Sequence, residues 1–189
     1  HVVGAGTRVA ATEDTPVSFD PSARSINYDP DGDDLIPSVG SQPANGEVTV
    51  NADGTFTYTP DANFFGQDEF IVQFSAPFSF GLSPITMIVA PVNDHPTGDV
   101  TISGTPKVGE VLTASNTLED ADVLGAVNYQ WQRDGADIPG AIGAEYTPTE
   151  DDVNARLSVV ASYTDGQGTN EAVSSNLTDP VEAQAGRDG

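Results

Sequence analysis

An all-β chain folded as two tandem β-sandwiches is what this sequence predicts, on three observations. Short segments of alternating apolar residues recur along it, separated by Gly, Pro, Asn and Asp at the spacing of sandwich turns. No segment sustains the apolar period of a helix. Patterned stretches also run into and out of Val92-Asn93-Asp94-His95-Pro96. Pro96 disfavours helical backbone at His95 and cannot donate to a sheet ladder, so one unit ends here and another begins. The expected division is 1–94 and 95–189.

In the first unit, Thr7 to Ala11 and Val17 to Phe19 read as opening strands, followed by an acidic loop from Asp29 to Asp34 and a further strand over Leu35 to Val39. Gly46 to Val50 and Thr55 to Thr59 alternate with period two around Asn51-Ala52-Asp53-Gly54, a hairpin signal. Phe56 and Tyr58 share one face of their strand, which is assigned to the core with alternate residues of Phe70 to Phe74. Ile85 to Val92 closes the unit.

The second unit restarts at Asp99 to Gly104 and Gly109 to Ala114. Val127 to Arg133 alternates strictly, with Val127, Tyr129 and Trp131 on one face. A lone Trp on such a strand reads as a core anchor. Leu157, Val159 and Ala161 offer the aliphatic face for it to pack on.

The chain has 189 residues and 37% apolar content, sufficient for two small sandwich cores. Its 29 Asp plus Glu against 6 Lys plus Arg give a formal charge of -23, which makes nucleic acid and anionic membranes poor partners. A disordered acidic tail would not carry regular strand patterns with 8 Phe and 5 Tyr. Carboxylates this dense repel one another, and a hard divalent cation that takes oxygen ligands offsets the repulsion, so Ca2+ is the expected cofactor. With no cysteine, disulfides, thiolate metal sites and cysteine nucleophiles are excluded. No apolar run approaches the ~20 residues of a membrane-spanning helix. His1-Val2-Val3-Gly4 does not read as a signal peptide, and the chain is expected to be a piece of a longer one.

Several motifs of the first unit carry a resemblance: Thr12-Glu13-Asp14-Thr15-Pro16, Asp29-Pro30-Asp31-Gly32-Asp33, Asp53-Gly54-Thr55-Phe56-Thr57-Tyr58-Thr59-Pro60, Asn63-Phe64-Phe65-Gly66-Gln67-Asp68-Glu69-Phe70 and Pro91-Val92-Asn93-Asp94. In order and spacing they resemble the tandem cadherin-like repeats of large bacterial surface adhesins. That resemblance implies calcium between consecutive repeats, held by a Glu near the first strand, a linker Asn-Asp and an Asp-x-Asp of the next repeat. Alternate residues of an extended loop point the same way, so Asp29 and Asp31 offer paired carboxylates. They do not open an EF-hand, because Asp34 stands at the required Gly and Gly40 at the required Glu. Ser75-Ala76-Pro77 replaces the Asp-Gly usual in such repeats, so a ligand is missing from the outer end of the unit.

The second unit resembles the immunoglobulin-like repeats of long secreted RTX-class proteins. The residues that carry this are Ile102-Ser103-Gly104-Thr105-Pro106, Leu118-Glu119-Asp120-Ala121-Asp122, Tyr129 to Gly135, Ile138 to Ala141, Tyr146 to Thr149 with Asp152-Val153, and Tyr163-Thr164-Asp165-Gly166. Val123 and Asn154 stand where Gly is usual. By cadherin logic Asp120, Asp122 and Asp165 join Glu13, Asn93 and Asp94 as ligands of one interdomain calcium; the alternative is that they are solvated loop and turn residues.

His1 is terminal and His95 lies in the linker, with no nucleophile elbow nearby, so no enzyme is expected. The reading that results is a pair of Ig-like/cadherin-like extender repeats of a secreted, cell-surface adhesin, stiffened by calcium. They would be monomeric, with neighbouring repeats of the same chain as partners and without membrane insertion, and a glycan or host protein would be reached through the parent's distal domains. The competing reading is a glycan- or protein-recognition module, with Phe78 and Phe80 as its contacts.

Overall fold

The structure is a computed structural model that describes residues 6–21, 36–76 and 79–184, the side chains of 76, 79 and 80 excepted. Its contacts divide the chain into His1–Val92 and Asn93–Gly189, which leaves Asn93 and Asp94 with the second unit.

Among the described residues the first unit has seven strands: β1 (Thr7–Thr12), β2 (Val17–Phe19), β3 (Ile36–Ser41), β4 (Gly46–Val50), β5 (Phe56–Pro60), β6 (Gly66–Ala76) and β7 (Ser79–Ala90). They form a four-stranded sheet in the order β1-β7-β6-β3 and a three-stranded sheet in the order β2-β5-β4. β1 runs parallel to β7 and the other pairs are antiparallel. Strand alternation places Phe56 and Tyr58 of β5, Phe70, Val72 and Phe74 of β6, and Ile85, Met87 and Val89 of β7 in one buried core. Tyr58 and Phe70 stack with ring centroids 6.2 Å apart, joining the two sheets.

The β4–β5 hairpin forms where Asn51 to Gly54 predicts it. Gly54 takes φ +84°, and the Asp53 carboxylate accepts from Thr55 N and Oγ1 at 3.0 and 2.7 Å. β6 and β7 are longer than their apolar runs, pairing from Gly66↔Val89 to Ala76↔Ser79. Ladder hydrogen bonds come from backbone, so polar Gln67, Asp68 and Glu69 continue the strand. β7 stops at Ala90, because Pro91 has no N–H to pair.

The second unit contains β8 (Val100–Ser103), β9 (Leu112–Asn116), β10 (Asn128–Arg133), β11 (Ala136–Asp137), β12 (Glu145–Tyr146), a short 3-10 turn over Glu150–Asp152, β13 (Leu157–Thr164) and β14 (Asn170–Ser174). One sheet runs β11-β10-β13-β14 and the other β12-β9-β8. Trp131 lies opposite Val159 across β10 and β13 and is fully buried with Leu157, Val159 and Ala161. Its indole also meets Tyr146 at 5.5 Å and donates to Gly143 O at 2.9 Å, satisfying the one polar atom that burial would strand.

Two buried aspartates fasten the sandwiches. Asp68 accepts from Ala44 N, Asn45 N, Glu69 N and the Tyr58 hydroxyl at 2.9–3.2 Å. Asp152 accepts from Arg133 Nε at 2.6 Å, Tyr146 Oη at 2.7 Å and Thr149 N at 2.7 Å. Burial would raise the Asp152 carboxyl, but the Thr149, Tyr146 and Arg133 bonds outweigh it and hold it below its ordinary range.

Candidate metal centre

In the first unit, Glu13 follows β1 in a tight turn. Thr15 N donates to Thr12 O at 3.3 Å, and Asp14 adopts φ +55°. Glu13 N donates to Ala90 O at 3.0 Å, which draws the turn against the end of β7. The side chain is 2% exposed. Oε1 accepts from Val92 N, while Oε2 is buried with no hydrogen-bond donor. A buried carboxylate oxygen in that state costs several kcal/mol unless a cation or proton meets it.

In the second unit, the loop after β9 and the turn between β13 and β14 meet at the same end. Gly166 N donates to Asp122 O at 2.8 Å, and Asp122 N donates to Asp120 Oδ1 at 2.8 Å. Gly125 permits this loop to lie against β13, because a Cβ there would stand 1.9 Å from Thr164 O. Asp122 is 3% exposed; its carboxylate accepts from Asp94 N at 2.7 Å and from Gln167 Nε2. Asp94 and Asp122 bring carboxylate oxygens within 4.8 Å of each other. Asp165 is 6% exposed, and its Oδ1 accepts from Gln167 N and Thr169 N at 2.9 and 2.7 Å. Its Oδ2 and Asn93 Oδ1 are buried without a donor.

Tyr163 donates its hydroxyl to Asp120. Burial, and then that carboxylate, push the Tyr163 phenol far above its ordinary range, so it remains a donor. Among the described residues no lysine or arginine pairs with Asp120, Asp122 or Asp165. Arg133 is committed to Asp152, and Arg156 Nη1 donates to Thr178 O.

Asn93, Asp94, Asp120, Asp122 and Asp165 are thus brought to one end of the second unit, and Glu13 is buried in the first. Asp29, Asp31 and Phe78 lie outside the described residues. Phe80 pairs its backbone with Ser75 in β7, and its side chain lies outside the description. His95 is 89% exposed and lies 3.9 Å from Glu171.

Sequence reasoning missed Gln167, Tyr163 and Glu171. Glu171 Oε1 accepts from Asn93 Nδ2 at 2.7 Å, and the Glu171 side chain is only 11% exposed. The signal was there: Glu171 shares the inward face of β14 with Val173, where a charged residue needs a reason.

The donor set fits calcium. It consists of carboxylate and carboxamide oxygens, the ligands of a cation that takes 6–8 oxygens, and it includes buried oxygens without hydrogen-bond donors. Thiolates are absent from the sequence, and the one described histidine is exposed, which disfavours zinc.

Fold and site together define an all-β protein of two β-sandwich units, with an oxygen-rich acidic cluster at one end of the second. The family model of the bacterial Ig domain matches residues 2–79, most of the first unit. No curated protein sequence matches the chain. Among solved structures, human protocadherin-24 EC1-2 is similar at 15% identity and TM-score 0.48, over 94% of this chain and 95% of that one. The Ig1-2 module of the Drosophila receptor protein tyrosine phosphatase DLAR is similar at 10% identity and TM-score 0.29, over 95% of each. An endo-fucoidan hydrolase of glycoside hydrolase family 107 is similar at 18% identity and TM-score 0.39, over 96% of this chain; this chain spans only 28% of the hydrolase. Among the described residues no helix is long and apolar enough to cross a membrane.

Proposed function

We propose that this chain is a pair of calcium-stiffened extender repeats within a large secreted bacterial adhesin, and that it projects distal ligand-binding domains from the cell surface. The observation that carries calcium is the buried Asp165 carboxylate, which keeps one oxygen without a donor and, among the described residues, pairs with no lysine or arginine. Glu13 supports the same reading with its own buried, donorless oxygen. The match to a bacterial Ig domain supports the bacterial setting and an extracellular, non-enzymatic role.

In this proposal Glu13, Asn93, Asp94, Asp120, Asp122 and Asp165 supply oxygens at the Val92 to Pro96 junction, and Asp29 and Asp31 serve a preceding repeat. A bound calcium supplies positive charge that six or more oxygens can share. Without it the carboxylates repel, and the junction is free to swing. With it, binding free energy becomes resistance to bending and unfolding. The partners are neighbouring repeats, and the parent's own ligand lies beyond them.

The test is small-angle X-ray scattering with parallel melting curves, in millimolar calcium and in excess EDTA. A longer, stiffer particle with a higher melting temperature in calcium is expected. Superimposable curves would sink the proposal and return the acidic groups to solvated surface.

A further inference from the structure

We propose that Glu171 is a positioning residue that sets which end of the Asn93 carboxamide is presented to the cation. This rests on the calcium reading above and extends it to a residue outside the predicted ligand set. A carboxamide has an accepting oxygen and a donating NH2 of nearly the same shape, and only the oxygen can ligate a hard cation. Nothing in Asn93 alone decides between the two ends.

The surroundings decide it. One end of the amide faces Glu171 Oε1 at 2.7 Å and Asp94 O at 3.3 Å. A carboxylate and a backbone carbonyl are both acceptors with no proton to give. The atom facing them must therefore be the NH2, and the reverse orientation would set oxygen against two oxygens. Glu171 thus fixes Oδ1 on the far side of the amide, where it is buried and has no donor.

Glu171 can hold this orientation because it is itself held. It occupies an inward-facing position of β14, paired across the ladder with Tyr163 of β13. His95 Nδ1 lies 3.9 Å away, on a side chain that is 89% exposed. The sandwich therefore delivers the acceptor, and the acceptor orients the ligand. Metal-binding histidines are oriented by carboxylates in the same way, and loss of such a partner weakens metal binding about 10–100-fold.

Calcium affinity of the whole chain, measured by calorimetry, tests this with three variants. Glu171→Leu leaves the amide free to turn and should weaken binding about 10-fold. Glu171→Gln keeps an acceptor for Nδ2 but loses the charge, and should stay within about 3-fold of wild type, since positioning needs an acceptor rather than a charge. In an Asn93→Asp background both ends of the side chain are oxygens, so Glu171→Leu should cost nothing there or even tighten binding, by the logic of a double-mutant cycle.

A metal-free readout accompanies these. In EDTA the Asn93 carboxamide protons should exchange slowly in wild type and Glu171→Gln, and quickly in Glu171→Leu. Equal weakening by Gln and Leu would overturn positioning in favour of charge or direct ligation, and so would an undiminished effect in the Asn93→Asp background. Wild-type binding that no Glu171 variant alters would overturn this inference alone. A wild-type chain that takes up no calcium would overturn it together with the function it rests on.

Discussion

Asp165→Asn should change sign with calcium. Asp165 Oδ1 accepts from Gln167 N and Thr169 N at 2.9 and 2.7 Å, and an asparagine oxygen can keep both bonds. What changes is the buried, donorless Oδ2, which becomes an NH2. Without calcium the variant removes one negative charge from an acidic cluster. Taking a separation of about 8 Å from one like charge and an effective dielectric constant of about 20, that relief is about 2 kcal/mol. Exchanging a charged acceptor for a neutral one costs about 1 kcal/mol in weaker hydrogen bonds. The net gain of about 1 kcal/mol corresponds to a rise of about 4–8 °C in a domain this size.

In calcium at about 100 times the dissociation constant, wild type gains about 2.7 kcal/mol. A variant binding about 100-fold more weakly keeps only about 0.4 kcal/mol of this, so the substitution becomes destabilising by about 1 kcal/mol. Trp131 supplies the assay: it is the chain's one tryptophan and is fully buried in the second unit, so urea titration of its fluorescence follows that unit. A shift of the same sign in calcium and in EDTA would refute the argument.

Two further outcomes follow from the same unit. Val123 is β-branched, 69% exposed and held at φ +74°, a region that costs an L-residue about 1–2 kcal/mol. Val123→Gly relieves this against about 0.5–1 kcal/mol of added unfolded-state entropy, so the urea midpoint should rise slightly in calcium and EDTA alike, and a fall would show that the valine side chain supports the loop. Asp152, depressed below its ordinary value, contributes stability that is complete above the unfolded carboxylate range of about 4 and is lost as pH falls through the lower folded value. Acid titration of wild type should therefore show Trp131 exposure steepening below about pH 4, and Asp152→Asn, already less stable at pH 7, should show a shallower acid dependence.

Much of the fold was legible because strand alternation and turn chemistry are local. Phe56 and Tyr58 share the core face, Trp131 lies against Val159, and Asn51 to Gly54 turns the hairpin, all as their sequence patterns indicate. Strand lengths were less legible. β6 begins at Gly66, four residues before Phe70, because its ladder tolerates the polar Gln67 to Glu69 stretch. The usual glycine positions at Val123 and Asn154 carry positive φ, so the backbone keeps its shape where the residue type changed. Gln167 was not legible as a site residue, because it matters through one tertiary hydrogen bond, and Glu171 was legible only as a charge on an inward strand face, its partner Asn93 being set by the tertiary fold.

Buried Asp122 accepts at both oxygens from groups of the acidic cluster itself, Asp94 N and Gln167 Nε2, and the other buried carboxylates fall into two kinds. Asp68 and Asp152 have both oxygens met by donors, and Asp152 adds an arginine. Such groups are complete without a ligand and rigidify the sandwich that holds them. Glu13 and Asp165 are as deeply buried, yet each leaves one oxygen without a donor. A fold that satisfies carboxylates fully in two places has the means to do so elsewhere, and at neither Glu13 nor Asp165 does an arginine or tyrosine among the described residues complete the carboxylate. Stability alone would favour replacing these acids by asparagine or an apolar residue. Their presence makes sense if the missing donor is a cation that comes and goes, as the proposed calcium would.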